Sequence, residues 1–379
     1  MRVLHFSYFN TVNVPFTYCQ MYRRMGHDAR LLTLYRHRGH LPEDICLHKR
    51  LYDPAWLRRV RNRRTAEATR QIQLGKGGPA HEYRPANAIE RLLLGLRDSL
   101  RAIEFARLAR TYGLYDFDLY HFHGGMDFFR DSRWVRRLAA AGKPIICNYH
   151  GPDLRDRGVV AAVNAAAGLS ITNEYDLLEL LPNLHYIPIP YDCSHLPSAT
   201  PPAPRLRIIH TPSVPAAKGT HLIEPVLRRI ASERNVEIMI LTGVSHERII
   251  EEKSRAHIAI EQIGNFGGTG YGVNSLETLA MNIPTVTEFT PAYAAFLRDH
   301  PFVLADERTL YDAVLKLVDN EQCRRDTGMR GRIWVEQNHG YAAVWRRLLE
   351  LLTPRVPKLA QALADGARGG PLPPLPVGR

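Results

Sequence analysis

Hydrophobic and polar positions along the chain fall into two long series of short apolar runs separated by amphipathic segments. The apolar runs predict buried strands, and the segments between them, apolar at every third or fourth position, predict helices. The first series extends from a strand at 3–7 to one at 186–188, and the second from 207–210 to 284–287. Because strands that alternate with helices form parallel sheets, we expect an α/β fold with two Rossmann-like domains facing across a cleft.

The pattern also predicts the domain boundaries. We expect an N-terminal domain at 1–194 with a basic insertion at about 36–87, then a linker at 195–204 rich in proline. A C-terminal domain follows at 205–340, with a closing helix at about 341–354. The Pro/Gly-rich composition of 355–379 predicts a disordered tail.

Composition narrows the class of protein. The 379 residues are 45% hydrophobic and 23% charged, which is typical of a globular chain with two full-sized cores. Five scattered cysteines without a C-x-x-C pair indicate neither a zinc site nor a disulfide framework. The chain enters a strand directly and has no apolar run long enough to cross a bilayer. We therefore expect a cytoplasmic protein, at most peripheral on the inner face of a membrane.

The formal net charge of +12 requires an explanation. Much of it lies in residues 49–70, where eight basic residues face only two acidic ones. Three interpretations stay open: a solvated surface insertion, contact with an anionic membrane leaflet, or nucleic-acid binding. No recognition module accompanies the charge, so we expect no nucleic acid.

The segment 266–286 carries the clearest chemistry: a glycine-rich loop, a short amphipathic helix and an apolar strand. Its glycines allow close approach of the backbone to a ligand, and the helix start offers amide groups to an anion. Glu277 lies one turn into the helix, where a carboxylate can accept hydrogen bonds from sugar hydroxyls. Together these groups suit a nucleotide sugar, although an ordinary βα turn is the alternative.

This segment resembles the signature of retaining glycosyltransferases of the GT-B fold, family four in the sequence classification. That signature has two glutamates separated by seven residues, an Ala-Met pair and a Gly-x-Pro ending. Glu277 matches the second glutamate, 280–281 the pair, and 282–284 the ending with Asn282 for glycine. Thr269 stands where the first glutamate contacts the donor sugar in the family.

A bacterial branch of the family has a Gly-x-Tyr-Gly loop preceded by an acid-Gln pair. Gly270, Tyr271 and Gly272 match that loop, and Glu261 with Gln262 matches the pair. The resemblance implies that the loop binds the donor. We expect Glu261 to point into the same cleft and replace the missing first glutamate, with a surface position as the alternative.

Residues 210–227 resemble the family's phosphate-binding turn. Lys218 and Gly219 stand at a helix start, where an ammonium group beside helix amides can clamp a diphosphate. The family has an arginine four residues earlier, where this chain has Val214. His210, Ser213 or another basic residue would have to compensate for it. A solvated surface lysine is the alternative for Lys218.

Residues 148–158 resemble the family's His-Gly-x-Asp-Leu turn, whose histidine approaches the donor sugar. His150 and Asp153 match this turn, and His123 ends the preceding strand on the same rim. We expect His150 to act beside the reacting sugar and the other two to lie on the acceptor side.

The loop after the first strand offers further polar groups. Asn10, Thr11 and Asn13 could hydrogen-bond an acceptor. A cap for the helix that follows Pro15 is the alternative.

The resemblance implies a metal-independent, retaining transfer of a sugar to a glycan or lipid-linked acceptor in assembly of a bacterial surface or exopolysaccharide glycan. The nucleotide sugar is the substrate, and we expect no cofactor. The amides of the glycine loop and Lys218 would stabilise the leaving diphosphate. The family's last helix crosses back to the first domain, a role for 341–352. An inactive scaffold protein of this fold, a sugar-nucleotide epimerase, and an inverting enzyme with His150 as base are the alternatives.

Overall fold

The computed structural model describes residues 1–36, 41–48, 78–84, 88–197, 205–268 and 270–366. Within these ranges the chain forms two sheets in which every strand pair is parallel. The first sheet has seven strands: β1 (Arg2–Ser7), β2 (Asp28–Tyr35), β3 (Ile45–His48), β4 (Leu119–His123), β5 (Ile145–Tyr149), β6 (Leu169–Thr172) and β7 (Leu184–Tyr186). The second has five: β8 (Leu206–His210), β9 (Val236–Ile240), β10 (Ile258–Ile260), β11 (Thr285–Thr287) and β12 (Val303–Leu304).

Helices connect these strands. In the first domain they are α1 (Val14–Arg24), α2 (Ala88–Tyr112), α3 (Arg133–Ala140) and α4 (Ala161–Ala166). In the second domain they are α5 (Thr220–Glu233), α6 (His246–Lys253), α7 (Val273–Ala280), α8 (Pro291–Leu297), α9 (Leu310–Asp319) and α10 (Glu321–Asn338). Two more, α11 (Tyr341–Leu352) and α12 (Pro357–Ala364), follow at the C-terminal end of the described residues. None of the helices in the described ranges is long and apolar enough to cross a membrane.

The strand order places a crevice in each sheet. In the first sheet, with the order β3-β2-β1-β4-β5-β6-β7, the connections reverse direction between β1 and β4. In the second sheet, with the order β12-β11-β10-β8-β9, they reverse between β8 and β10. Ligands of open parallel sheets bind outside the carboxyl ends of the strands at such reversals. The expected α/β fold with two Rossmann-like domains is thereby confirmed.

The C-terminal helices pack on the first sheet rather than the second. The Trp345 ring of α11 lies edge-on against Tyr22 of α1, with ring centroids 5.0 Å apart, and tilted against His27. In α12, Leu359 and Leu363 are buried in the same core, and the Leu363 carbonyl lies 3.1 Å from His27 Nε2. Residues 357–364 are thus helical, whereas the composition of 355–379 predicts disorder, because an apolar face is enough to dock this short helix.

Three further elements differ from the sequence-based prediction. Strand β3 lies within the predicted insertion at 36–87 and pairs with β2, and β12 and α8 were not predicted. Asp44, just before β3, accepts a hydrogen bond from the Leu31 amide and forms an ion pair with Arg23. These two contacts fix β3 at the edge of the sheet. The basic stretch at 49–70 lies outside the described residues, as does most of the linker.

Candidate active site at the facing strand ends

Lys218 and Glu261 form an ion pair at the carboxyl ends of β8 and β10. Lys218 ends the turn Pro215–Lys218 and is followed by Gly219 with φ of +67°. A Cβ atom on Gly219 would lie 1.9 Å from the Ile263 carbonyl oxygen, so only glycine lets the two loops approach. The Lys218 ammonium group also donates to Gln262 Oε1 over 3.1 Å.

The Glu261 carboxylate is almost fully buried and is held from two sides. Its Oε2 accepts hydrogen bonds of 2.7 Å from Asn274 Nδ2 and Ser275 Oγ, both in the first turn of α7. Burial alone would raise its pKa, but the charge of Lys218 and the hydrogen bonds from Lys218, Ser275 and Asn274 together lower the pKa. The Glu261 carboxylate therefore points at the start of α7 and at Lys218, and its side chain is buried rather than exposed to the cleft or on the outer surface.

Glu277 occupies a second buried position one turn further along α7. Its Oε1 lies 2.7 Å from His246 Nε2, and its Oε2 accepts from the ammonium group of Lys253. Burial opposes ionisation, but the charge of Lys253 and the hydrogen bond from His246 lower the pKa of Glu277. Lys253 is fully buried, whereas the His246 side chain is 60% exposed. Glu277 is thus a buried acid whose charged form is stabilised by Lys253, and its other partner, His246, is exposed to solvent.

The glycine-rich loop connects these two acids. Gly268 and Gly270 have φ of +116° and +112°, a region that favours glycine, and a Cβ on Gly270 would lie 2.8 Å from the Tyr293 ring. Gly272 is the N-cap of α7. The Tyr271 ring packs in the second core, and its hydroxyl lies 2.8 Å from His339 Nε2. The Tyr271 side chain therefore packs into the core, and Tyr271 contributes to the glycine loop through its backbone. Thr269 lies outside the described residues.

Two other residues of the phosphate-binding prediction form no hydrogen bond with the Lys218–Glu261 pair. Ser213 is exposed on the loop after β8. His210, suggested as a substitute for the missing arginine, is buried, with Nδ1 2.9 Å from the Ile260 carbonyl and Nε2 2.9 Å from Thr220 Oγ1. His210 therefore ties strands and helix together instead of facing the cleft.

The His150 turn faces the glycine loop from the first domain. The His150 amide donates to Asp153 Oδ2 over 2.8 Å, and Asp153 also pairs with Arg157. Asp153 thereby shapes the turn. Arg155 in the same turn approaches the other domain, because a Cβ atom on Gly268 would lie 3.5 Å from its Nη2. The two motifs thus meet across the cleft.

Arg155 is nearly buried and is held by two acids that follow β6. It donates to Glu174 Oε2 over 2.7 Å and to Asp176 Oδ2 over 2.9 Å, and Glu174 also accepts from the Gly151 amide over 2.6 Å. The arginine is thus a fixed cation at the domain boundary. The sequence does not predict this position for Arg155, because its neighbours in the chain are a mixture of acidic and basic residues.

The remaining acceptor-side candidates are divided between core and surface. His123 is 2% exposed, because its ring is covered by Tyr18 of α1 and stacks on the ring of His150 with centroids 6.3 Å apart, so it lies buried behind the rim predicted for it. Asn10 is fully buried and donates to Asn13 Oδ1 and to the Pro42 carbonyl, each over 2.8 Å. Thr11 is exposed beside them. Asn10 and Asn13 therefore hold the entry to α1: Asn10 Oδ1 accepts from the Phe16 amide over 3.4 Å, whereas the Asn13 side chain makes no cap hydrogen bond.

Sequence reasoning missed His246, Lys253 and Asn274. Lys253 donates to the Asn274 carbonyl over 3.0 Å as well as to Glu277, so these residues form one polar network beneath the loop. The N-cap Ser245, which accepts from the Arg248 amide, marks the start of α6 in the sequence and could have drawn attention to His246. Lys253 has no comparable signal.

Solved structures share the fold over nearly the whole chain. A sucrose-phosphate synthase from Thermosynechococcus elongatus is 12% identical with a TM-score of 0.56, over 96% of this chain and 100% of that one. A glycosyltransferase from Rickettsia africae is 12% identical with a TM-score of 0.53, over 94% and 98%. A protein assigned as a UDP-N-acetylglucosamine 2-epimerase from Listeria monocytogenes is 9% identical with a TM-score of 0.50, over 93% and 96%. No family model and no curated protein sequence matches the chain. At these identities the likeness shows the GT-B fold.

Proposed function

We propose that this protein is a glycosyltransferase that moves a sugar from a nucleotide-sugar donor to a glycan or lipid-linked acceptor. One observation carries the proposal: Lys218, Glu261 and Glu277 converge with the glycine loop at the start of α7. All lie at the carboxyl ends of the second sheet, where open α/β sheets bind their ligands.

The donor's parts have matching partners in this site. Its diphosphate lies against the Lys218 ammonium group and the amides at 270–272, where the positive φ of Gly270 sets the course of the loop. Its ribose approaches Glu277 from the side of His246 and takes the hydrogen-bond position at Oε1 that His246 now holds. The sugar then lies between the loop and the His150 turn.

The proposed transfer proceeds with retention and without a catalytic metal ion. Negative charge that develops on the departing diphosphate is stabilised by fixed amides and by Lys218, the electrostatic form of catalysis. The departing phosphate oxygen takes the proton of the acceptor hydroxyl on the same face of the sugar. Because Glu261 offsets the charge of Lys218, the backbone amides supply much of this stabilisation.

A lipid-linked acceptor would bring the enzyme to a membrane, and α2 has a surface suited to one. Five apolar side chains at positions 89, 92, 96, 100 and 103 are each at least 60% exposed and follow one helical face. At the same spacing the row continues into the exposed Arg107 and Arg110. An apolar stripe ending in cations fits an anionic lipid surface, and we propose the inner face of a bacterial membrane, where surface glycans are assembled.

Turnover of a panel of UDP-, GDP- and CMP-sugars tests the proposal. A glycosyltransferase releases the nucleotide and, without acceptor, slowly yields free sugar of unchanged stereochemistry at carbons other than the anomeric one. Release of sugar with an inverted ring carbon would identify an epimerase. Absence of turnover with every donor, together with nucleotide binding, would favour the inactive scaffold.

A further inference from the structure

His339 lies where two crossings of the chain between the domains meet. The first crossing, 187–192, follows β7 of the first sheet. The second, 338–341, leads from α10, which packs in the second core, to α11, which packs in the first. The Tyr191 amide of the first crossing donates to the His339 carbonyl over 2.7 Å, and His339 Nδ1 lies 2.8 Å from the Ile189 carbonyl. His339 therefore joins the two crossings through its backbone and its ring.

The partners of the His339 ring determine where its hydrogen lies. A carbonyl oxygen can only accept, so Nδ1 carries the hydrogen that points at Ile189, and Nε2 keeps a free lone pair. The Tyr271 hydroxyl lies 2.8 Å from Nε2 and therefore donates to it. Burial lowers the pKa of His339 to about 4, which keeps the ring neutral at neutral pH. The ring thus connects the first crossing to Tyr271 in the glycine loop.

The glycine loop itself lies at the boundary between the domains. Tyr271 packs in the second core, whereas Val273, the first residue of α7, packs against the first core. Arg155 of the first domain lies beside Gly268 in the same loop. The position of the loop relative to the His150 turn therefore depends on how Tyr271 is held.

The link from Tyr271 to the crossings is held by packing as well as by hydrogen bonds. The Trp334 ring centroid lies 5.1 Å from that of His339 and 5.5 Å from that of Tyr271. The His339 amide donates to the Val335 carbonyl over 2.8 Å, which ties the residue to the end of α10. Because close-packed rings in fixed hydrogen bonds do not shift independently, the loop and the crossings move together.

We propose that His339 is a positioning residue of the donor site, which holds the glycine loop at 270–272 against the first domain through the Tyr271 hydroxyl. This assignment rests on the proposed function, because the loop that His339 holds is the one proposed to bind the donor. His339 itself touches neither donor nor acceptor. Loss of the link lets the loop and the His150 turn move apart, so sugar transfer slows more than nucleotide binding weakens.

Steady-state kinetics with the best UDP- or GDP-sugar, together with titration of UDP or GDP, test this role. Tyr271→Phe removes the hydroxyl and keeps the ring. We expect kcat to fall about 2–10-fold, the effect of losing one neutral hydrogen bond, with a smaller change in the Kd of the nucleotide. The matched control is Tyr120→Phe, which removes a buried hydroxyl that donates to the Leu114 carbonyl over 3.1 Å and should leave kcat unchanged.

Substitutions of His339 separate its two ring contacts. His339→Asn can still donate to the Ile189 carbonyl but is too short to reach Tyr271, so it should lower kcat as Tyr271→Phe does. The two substitutions combined should cost no more than either alone, because both break the same link. His339→Gln is long enough to accept from Tyr271 and should retain more activity than His339→Asn. Effects that add, or a kcat of Tyr271→Phe equal to that of Tyr120→Phe, would show that the assignment is wrong.

Hydrogen exchange of the ligand-free protein separates this assignment from the proposed function. The Ser275 and Leu276 amides donate to the Gly272 carbonyl, so Tyr271→Phe should speed their exchange and Tyr120→Phe should not. If wild type turns over no donor but this difference is present, the proposed function is wrong and the positioning of the loop stands. Equal exchange in the two variants would overturn the positioning role whatever wild type turns over.

Discussion

Lys218 and Glu261 form an ion pair that joins two loops of the second domain, one after β8 and one after β10. The lysine is partly exposed while the acid is buried, so the pair presents its cation to the cleft and its anion to the protein. Asn274 and Ser275 hold the far side of the carboxylate. Lys218 therefore has two roles in the proposed site: it neutralises Glu261 and it binds a diphosphate. A single substitution of Lys218 would remove both roles at once.

We expect Lys218→Met to weaken donor binding or turnover by about 1.5–3 kcal/mol, the range for a hydrogen bond to a charged group. The double variant Lys218→Met with Glu261→Gln separates the two duties, because it removes the buried charge that would be left unpaired. Steady-state kinetics of the wild type, both single variants and the double variant complete the cycle. If the double variant turns over donor at the same rate as the Glu261→Gln variant, Lys218 acts only by pairing with Glu261, and its assignment to the diphosphate is wrong.

Glu277→Gln should weaken the binding of nucleotide and nucleotide sugar equally, because both contain the ribose that the carboxylate holds. Calorimetric titration with each ligand measures this. Glu252→Gln is a matched control: this buried acid of α6 pairs with Arg207 and should change stability without changing either affinity. A loss confined to the nucleotide sugar would place Glu277 at the sugar. A lower melting temperature with unchanged affinities would make it a structural cap.

The His246–Glu277 contact should make stability depend on pH. The hydrogen bond to Glu277 raises the pKa of His246 above 6.5. Its contribution to stability is therefore fully present below the unfolded pKa and is lost as pH rises through the folded one. The unfolding free energy of wild type minus that of His246→Ala should therefore shrink as pH rises above 6.5. Repeating the comparison with Glu277→Gln should remove the trend, and a trend that persists would point to another partner.

The exposed row on α2 should bind acidic vesicles. Leu92→Glu with Leu96→Glu should reduce sedimentation with vesicles of anionic lipid, and added salt should weaken wild-type binding. Met329→Glu with Ile333→Glu alters equally apolar exposed residues of α10 and should have no effect. Reversal of Arg58, Arg59, Arg63 and Arg64 to Glu tests the basic stretch separately. Wild type that ignores acidic vesicles at low salt would remove the membrane proposal.

Local pattern was enough to predict most of the fold. The strands predicted at 3–7, 207–210 and 284–287 lie within one residue of their observed bounds, because apolar runs are properties of neighbouring residues. Strand Ile45–His48 was hidden by basic and proline-rich neighbours, and Val303–Leu304 is too short to show a period. Helix Pro357–Ala364 depends on a docking surface formed by residues far away in sequence.

Some features of the candidate site could also be predicted from the sequence, and others could not. Glu261, Lys218 and Glu277 could be placed near one another because strand ends in a parallel sheet share an edge. The buried lysine behind Glu277 and the ion pair between Lys218 and Glu261 depend on side-chain packing between loops, which no spacing reveals. His123 and Asn10 lie at strand ends as well, but the helix above the first sheet buries them.

A crystal structure with UDP or GDP, whichever binds more tightly, locates the donor directly. We expect diphosphate oxygens within hydrogen-bond distance of Lys218 Nζ and the amides at 270–272, and ribose hydroxyls on the Glu277 carboxylate in place of His246. A nucleotide bound elsewhere, with Glu277 still closed on His246 and Lys253, would contradict the proposed donor site.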